Sequence, residues 1–237
     1  MAGLNDLAGT DKLTMPKLES SVGGTANKEL MADARASLSG NWSLAMLGYV
    51  LFALLISSFM FFVVAALLYA GVSSSASADE FMGKFWMLNP AAALIQFFIS
   101  GALMVGFKAF FLGIAREGAA QLDLLFTGFR RYFKSMGVYF FYTLFVFLWS
   151  LLFIIPGIIA AFRYAMVYFI IADDEDCGPL EALGRSKEMM KGNKWKFFCL
   201  HWRFFGWALL SSILPFGWLW VIPYMQTSFA KFYEDVS

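Results

Sequence analysis

Charge is the scarcest property of this 237-residue sequence, in which only 15% of the residues are Asp, Glu, Lys or Arg. Soluble domains carry about 25% charged and about 45–50% apolar residues, whereas this chain is 60% apolar and contains 28 phenylalanines. A protein of this size needs a polar surface in water, so the shortage of charge implies that much of its surface faces lipid. The composition excludes a simple soluble enzyme and a disordered chain.

The sequence also has few cysteines and histidines, and neither sign of charge is in clear excess. Cys177 and Cys199 show no CxxC or Cys/His spacing, and with the single His201 they supply too few ligands for a metal site. Eighteen basic and 17 acidic residues give a net charge of +1, which provides no field for nucleic acid. The sequence has no nucleophile elbow, Walker loop, HExxH or GxGxxG motif. We therefore expect no catalytic residues, metal, cofactor or nucleic-acid partner.

Two apolar runs are each long enough to cross a membrane once. The run at 42–70 has no charged residue, and the run at 90–114 contains only Lys108. At 1.5 Å per residue, both exceed the hydrocarbon thickness of about 30 Å. The polar stretch between them, 71–89, is predicted to be a solvated loop. Residues 1–24 are predicted to be a flexible tail.

Two further apolar runs are too long for one crossing and carry proline and glycine near the middle. As a single helix, 137–172 would measure roughly 54 Å, nearly twice a hydrocarbon layer of about 30 Å. Proline removes a backbone donor and disfavours helix at the residue before it. We therefore expect two hairpins, with spans at about 134–155, 157–172, 195–214 and 216–232. The predicted helix breaks are Pro156, Gly157, Pro215, Gly217 and Pro223.

The positions of Lys and Arg predict the orientation. The 71–89 segment has one such residue, 115–135 has four and 173–196 has five. Four spans would place the two basic segments on opposite faces, against the positive-inside tendency, whereas six spans place both on the cytoplasmic face with both termini. We therefore predict an all-α, polytopic transmembrane helical bundle of six spans over 25–237. The last spans of the two hairpins are short, so deep hairpins or bent helices are the alternative.

Self-comparison predicts an internal repeat. The segments 34–42 and 184–195 each indicate a short helix ended by Gly, followed by Asn and then by Trp. Glycine there supplies a left-handed closing residue, and tryptophan suits the headgroup level. A weaker copy at 128–134 precedes the third span. The pattern predicts three units, each an amphipathic in-plane helix followed by a helical hairpin.

The helix predicted at 179–191 is the best defined of these in-plane elements. Pro179 suits the first helical position and Glu181 the first turn. The preceding acidic residues, 173–176, are predicted to form a juxtamembrane turn in which Asp176 helps to start the helix. The helix is either a docking surface for a protein partner or anionic lipid, or an interfacial helix packed beneath the bundle. Its predicted contact residues are Arg185, Ser186, Lys187, Lys191, Gly192 and Trp195.

Two charged residues lie inside the apolar runs. Arg163 costs about 2.5–3.5 kcal/mol at a helix centre on insertion scales, so we expect it to face the bundle interior or a wet cavity. It either contacts an anion or headgroup, or it has a structural role in which it binds carbonyl groups freed at the Pro156 or Pro215 breaks or pairs with a carboxylate. Lys108 either snorkels towards the interface or lines a pathway. With Tyr164 and Tyr224, these residues form the candidate intramembrane polar site.

The order of several short motifs resembles a known family. The motifs are Ile154-Ile155-Pro156-Gly157-Ile158, Arg163-Tyr164, Ala172-Asp173, Glu181-Ala182-Leu183, Ser186, Met189-Met190-Lys191-Gly192, Gly206-Trp207, Pro223-Tyr224 and Phe232-Tyr233. They look like the bacterial multi-pass membrane proteins of domain-of-unknown-function family 975, over roughly 30–236. A fainter resemblance runs to the membrane domain that accompanies some glycerophosphodiester phosphodiesterases. The family resemblance implies an inner-membrane location and an architecture, but no reaction.

These observations predict a non-enzymatic scaffold or partner subunit of the inner membrane, surrounded by the lipid bilayer and contacting a protein at its cytoplasmic helices. The alternative is a small-molecule, ion or lipid transporter or channel-like protein with a pathway near Arg163. The sequence leaves the substrate, the partner and the oligomeric state open.

Overall fold

The computed structural model describes residues 25–57, 78–119, 121–213 and 216–237. All the regular secondary structure within these ranges is helical, which confirms the all-α prediction. A short 3₁₀ helix, Leu122–Phe126, precedes α4. The α-helices are α1 Asn27–Leu38, α2 Trp42–Ser57, α3 Ala78–Glu117, α4 Thr127–Arg130, α5 Tyr132–Leu152, α6 Ile154–Arg163, α7 Val167–Asp173, α8 Pro179–Met189, α9 Lys194–Ile213 and α10 Trp218–Val236.

Three of the described helices are long and apolar enough to cross a membrane: Ala93–Glu117 in α3, Tyr132–Leu152 in α5 and Ile154–Asp173 across α6 and α7. The pair α1 and α2, bent by 96°, adds a fourth if it is counted as one broken span. Helices α9 and α10 are not among the candidates. The described residues therefore support three or four crossings, and the predicted six are not confirmed.

Helix α3 is much longer than its predicted span. Its 40 residues would extend about 60 Å, and it contains Pro90. The prediction of a loop at 71–89 is therefore wrong over 78–89, which is helical. Three other predicted segments lie outside the described residues: the rest of that loop at 71–77, the tail at 1–24 and the 58–70 part of the first span.

The break between α5 and α6 lies at Phe153, not at Pro156 and Gly157 as predicted. Phe153 is extended, with φ −162° and ψ 153°, and its carbonyl accepts from the Gly157 N–H at 3.2 Å. Pro156 therefore lies in the first turn of α6, where a missing N–H leaves no intrahelical bond unmade. Gly157 faces Ser150 of α5 so closely that an added Cβ would lie 2.8 Å from the Ser150 Cα.

The hairpin of α9 and α10 repeats this packing. A Cβ added to Gly217 would lie 2.8 Å from the Cα of Ser211 on α9. The residue before it, Phe216, has a φ of 77°. Pro215 lies outside the described residues. Pro223 is not a break: it is buried inside α10, and its carbonyl accepts a hydrogen bond from Thr227 Oγ1 at 2.9 Å.

The predicted repeat of helix endings has matching backbone geometry. Gly40 and Gly192 both have positive φ, 88° and 86°. The Asn41 N–H donates to the Leu38 carbonyl at 2.9 Å, and the Asn193 N–H donates to the Met190 carbonyl at 3.3 Å. The third predicted copy differs, because Gly128 lies within α4 and packs against the backbone of α3 at Ala102.

Two groups of buried residues hold the helices together. In the larger, residues of α3, α5, α7, α8, α9 and α10 converge around Phe169 and Phe232. In the smaller, α1 and α2 pack on α3, where Phe52 stacks on Phe107 with ring centroids 3.9 Å apart. By contrast, the apex of the α5–α6 hairpin is apolar and exposed. Such a surface is typical of protein that faces lipid.

Candidate functional site

Lys108 of α3 turns into the bundle instead of snorkelling along its own helix. Its Nζ donates to Oε1 of Gln226 on α10 at 2.6 Å. The same atom lies 4.9 Å from the ring centroid of Phe169 and 5.9 Å from that of Phe229, within the range of cation–π attraction. Gln226 is uncharged, so the ammonium gains hydrogen bonding and ring contacts but no opposite charge from these neighbours.

A cavity of about 350 Å³ adjoins Lys108. Its wall is mostly apolar and aromatic, and the other polar side chains in it are Tyr142, Tyr168 and His201. Helices α3, α5, α6, α7, α9 and α10 all contribute, so the cavity lies between packed helices. It is lined by Met104, Lys108, Tyr142, Ile158, Ala161, Phe162, Ala165, Tyr168, Phe169, Phe197, His201 and Phe229.

His201 is held by stacking and by its own helix. Its ring stacks on Phe229 with centroids 4.3 Å apart and meets Phe197 edge-on at 4.4 Å. Its Nδ1 lies 3.2 Å from the Phe197 carbonyl oxygen, a distance suited to donation by an Nδ1–H. The described residues hold no group of three His, Cys, Asp or Glu side chains arranged for a metal ion. The chemistry that this cavity offers is the binding of an anion by a lysine within an aromatic wall.

The four residues of the predicted polar site do not come together. Arg163 is half-buried at the end of α6, and its guanidinium makes no hydrogen bond or ion pair with the residues that the structure describes. Arg163 does not line the Lys108 cavity. Tyr164 is buried beside Phe145, with ring centroids 6.0 Å apart.

Tyr224 lies at a third place, against the first helix. Its hydroxyl donates to the Met31 carbonyl at 3.1 Å, which joins α10 to α1. The Arg35 guanidinium lies 5.5 Å from the centroid of its ring. Tyr224 therefore has a structural role between two helices, and only Lys108 of the predicted set lines the cavity.

Ion pairs connect the ends of several helices at one end of the bundle. We call this region, which surrounds Arg116, Asp173 and Asp235, the polar end. Arg116 at the end of α3 forms a bidentate ion pair with Asp173 at the end of α7. Its Nε also lies 3.2 Å from Glu234 on α10. The Tyr233 hydroxyl donates to Asp173 at 3.0 Å.

Further pairs extend the polar end to α5, α9 and the segment before α1. Arg131, just before α5, pairs with Glu175. Lys196 at the start of α9 pairs with Asp235, whose other oxygen accepts from the Thr25 backbone N–H at 2.8 Å. The basic segments 115–135 and 173–196 therefore lie at one end of the bundle, together with the described parts of both termini.

Helix α8 lies at this end, and its predicted contact residues have different surroundings. Arg185 pairs with Asp174 at 2.7 Å and with Glu181 at 2.8 Å. The hydrogen bond from Arg185, aided by one from the Asp176 N–H, lowers the pKa of Asp174. Asp174 also accepts from the Cys177 N–H at 3.3 Å. Asp174 therefore accepts the backbone hydrogen bonds of this turn, and α8 begins after Gly178; Asp176, which was predicted to help start the helix, donates its N–H to Asp174.

Ser186 is fully buried, unlike the charged residues around it. Its hydroxyl donates to the Arg163 carbonyl at 3.1 Å and accepts from the Met166 N–H at 3.3 Å, across the break between α6 and α7. Lys187 and Lys191 are exposed. Gly192 closes the turn after α8, and Trp195 is exposed and stacks on Phe198.

Sequence reasoning missed three partners of Lys108. Gln226 is 118 residues away, and no spacing rule relates the two positions. Phe169 and Phe229 are indistinguishable by composition from the other phenylalanines. Besides Lys108 itself, the one signal for this cavity in the sequence is His201, which is the only histidine of the chain.

The family model described as protein of unknown function (DUF975) matches residues 25–161 and 151–237. The two matches together include every residue that the structure describes. No curated protein and no solved structure matches the chain. The fainter resemblance to the glycerophosphodiester phosphodiesterase membrane domain is not supported by these comparisons. The chain belongs to this family of proteins of unknown function.

Proposed function

We propose that this chain is a non-enzymatic integral protein of a bacterial inner membrane. It acts as a scaffold or partner subunit, contacting another protein through the helices at its polar end. Six helical segments enter the membrane as three hairpins, α2–α3, α5–α7 and α9–α10, and both termini lie in the cytoplasm.

The observation that carries the proposal is the polar end. Arg116, Asp173 and Glu234 join three helices there, and Lys196 with Asp235 joins α9 and α10. The ends of α3, α7 and α10 and the starts of α5 and α9 meet at this end, which supports one face for both basic segments whether or not the α9–α10 hairpin crosses fully. Basic segments on one face favour a cytoplasmic polar end.

Helix α8 supports the docking role. Its inner face is anchored by buried Ala182, Leu183 and Ser186. Its outer face presents Leu180, which is 59% exposed, beside exposed Lys187. A helix that is already held in place, with apolar and charged residues on its outer face, provides a partner with apolar contact area and with charge. Binding to it does not require the ordering of a flexible segment, which would cost entropy.

The alternative, a transport pathway near Arg163, is less well supported. The Arg163 side chain does not line the Lys108 cavity, and its backbone carbonyl is occupied by Ser186. The polar groups at the polar end are engaged in ion pairs that join helices. These ion pairs favour a structural role for the charged residues at the polar end.

Co-purification from native membranes tests the scaffold role. We expect a protein partner at fixed stoichiometry with the full chain, and its loss when Lys187→Glu and Lys191→Glu are combined. Arg130→Glu is the matched control, because Arg130 is an exposed basic residue of the same end outside α8. Absence of any stoichiometric partner, or equal loss with Arg130→Glu, would contradict docking through α8.

A further inference from the structure

We propose that the Lys108 cavity binds the carboxylate of a single-chain amphiphile, such as a fatty acid, that enters from the bilayer. This binding site goes beyond the scaffold role and does not depend on it. The proposal rests on three observations: an ammonium without an opposite charge, the size and lining of the cavity, and the place where it reaches the surface.

Among the residues that the structure describes, no opposite charge pairs with the Lys108 ammonium. Its hydrogen-bond partner, Gln226, is neutral, and no carboxylate among the described residues pairs with it. Two acidic residues of the polar end, Asp173 and Glu234, are engaged by Arg116, which lies eight residues from Lys108, about 12 Å along α3. A half-buried charge without an opposite charge beside it is costly, so an anion seated beside Lys108 would offset that cost.

The cavity fits a small amphiphile. Its volume of about 350 Å³ lies near the lower limit of roughly 300–1,000 Å³ for ligand sites. That space favours one hydrocarbon chain over the two chains of a phospholipid. Methionine, isoleucine and phenylalanine side chains dominate the wall and suit such a chain.

Further donors line the same cavity. Tyr142 and Tyr168 approach each other, with ring centroids 5.4 Å apart, and their hydroxyls donate to no group among the described residues. A carboxylate has two oxygens and accepts several hydrogen bonds. Lys108 and a tyrosine hydroxyl therefore provide the two kinds of donor that would hold it.

The cavity reaches the outside of the bundle through α6. Ile158 in its wall is 51% exposed, and the neighbouring lining residues Ala161 and Phe162 are half-buried. These residues belong to the candidate span Ile154–Asp173. An opening at this depth faces acyl chains, so the occupant comes from the bilayer and carries its own hydrocarbon.

Binding of radiolabelled laurate to the purified full chain in a neutral detergent, followed by scintillation proximity, tests the site. We expect saturable binding that weakens by about tenfold or more in Lys108→Met, because a charge-assisted hydrogen bond is lost. Ile158→Trp fills the cavity without touching Lys108 and should abolish binding. Lys28→Met, at an exposed lysine of α1 that lies outside both the cavity and α8, should bind as the unmodified chain does.

Two competitors define the ligand class. Methyl laurate, which lacks the charge, should compete poorly, and dilauroyl phosphatidylglycerol should compete poorly because of its second chain. The proposal is overturned if Lys108→Met binds laurate like the unmodified chain, if Ile158→Trp does so, or if the unmodified chain shows no saturable binding. Competition by phosphatidylglycerol equal to that by laurate would also overturn it, in favour of an anionic phospholipid site.

Discussion

Among single residues, Ser186 links helix α8 to the break between α6 and α7. Where a helix is interrupted, backbone donors and acceptors lose their usual partners. The Ser186 hydroxyl satisfies one of each, the Met166 N–H and the Arg163 carbonyl. This role explains why a small hydroxyl residue lies fully buried on a helix that otherwise exposes charge.

Replacement of Ser186 by alanine should therefore destabilise the chain by about 1–3 kcal/mol, because two buried backbone groups lose a partner. Thermal unfolding of the purified protein in detergent measures the loss. Ser212→Ala is the control, since the exposed Ser212 donates only to Ala208 within its own helix. Equal effects of the two substitutions would contradict a bridging role for Ser186.

Asp174 makes a pH-dependent contribution at the turn before α8. The hydrogen bond from Arg185, followed by that from the Asp176 N–H, lowers its pKa in the folded state. A lowered carboxyl pKa adds stability above the unfolded-state pKa, and that stability is lost as the pH falls through the folded-state pKa. We expect Asp174→Asn to lower the melting temperature at about pH 7 and to differ less from the unmodified chain below about pH 4. A gap of the same size at both pH values would contradict this assignment.

The sequence predicted that a charged residue inside an apolar run would face the interior, but it did not predict which of the two candidates, Lys108 or Arg163, lines the cavity. A lysine inside an apolar run was expected to be functional or to snorkel, and Lys108 turns inward. Arg163 looked equally suited by sequence, yet it lies outside the cavity. The difference arises from helix rotation and from contacts between distant segments, which local spacing does not encode.

Among the elements, the two hairpins of the second half share one packing device. Gly157 faces Ser150, and Gly217 faces Ser211, each at a separation that leaves no room for a side chain. Small residues let helices approach closely where lipid supplies no hydrophobic drive between them. The glycine of each pair therefore has a packing role in addition to any role in turning the chain.

Gly157→Ala and Gly217→Ala should each destabilise the chain by about 1–3 kcal/mol, because the new methyl group would overlap the facing serine backbone. Gly184→Ala on α8 is the control, since open space surrounds that glycine. Alanine there should be neutral or stabilise by up to about 1 kcal/mol. Thermal unfolding of the three variants checks the order, and destabilisation by Gly184→Ala alone would contradict it.

The elements were predicted well where the pattern was local. Pro179 does begin α8, and Gly40 and Gly192 have the left-handed geometry expected of closing residues. The proline rule misplaced one break, because proline is tolerated in a first turn and the chain bends at Phe153 instead. Polar composition suggested a loop at 78–89, which helix α3 includes.

At the scale of the whole molecule, the polar end brings together two basic segments that are far apart in the sequence. Counting basic residues predicted that 115–135 and 173–196 share a face, and the ion pairs of Arg116, Arg131 and Lys196 join both segments to the same end. The distribution of basic residues does not fix the number of crossings. A hairpin brings the chain back to the face where it started, whether it crosses the membrane fully or enters it only part of the way.

Labelling of single cysteines in intact cells tests the central claim, that three hairpins cross the membrane from one cytoplasmic polar end. The background is the chain with Cys177→Ala and Cys199→Ala. Cysteines are then placed singly at Gly83 on α3, at the hairpin apices Phe153 and Phe216, which are 70% and 75% exposed, and at exposed Lys187 on α8.

A membrane-impermeant maleimide added outside should label Gly83→Cys, Phe153→Cys and Phe216→Cys, and should label Lys187→Cys only after the membrane is permeabilised. An apex cysteine that stays unlabelled from outside would show that its hairpin does not cross. Labelling of Lys187→Cys from outside would contradict the cytoplasmic polar end and, with it, the account as a whole.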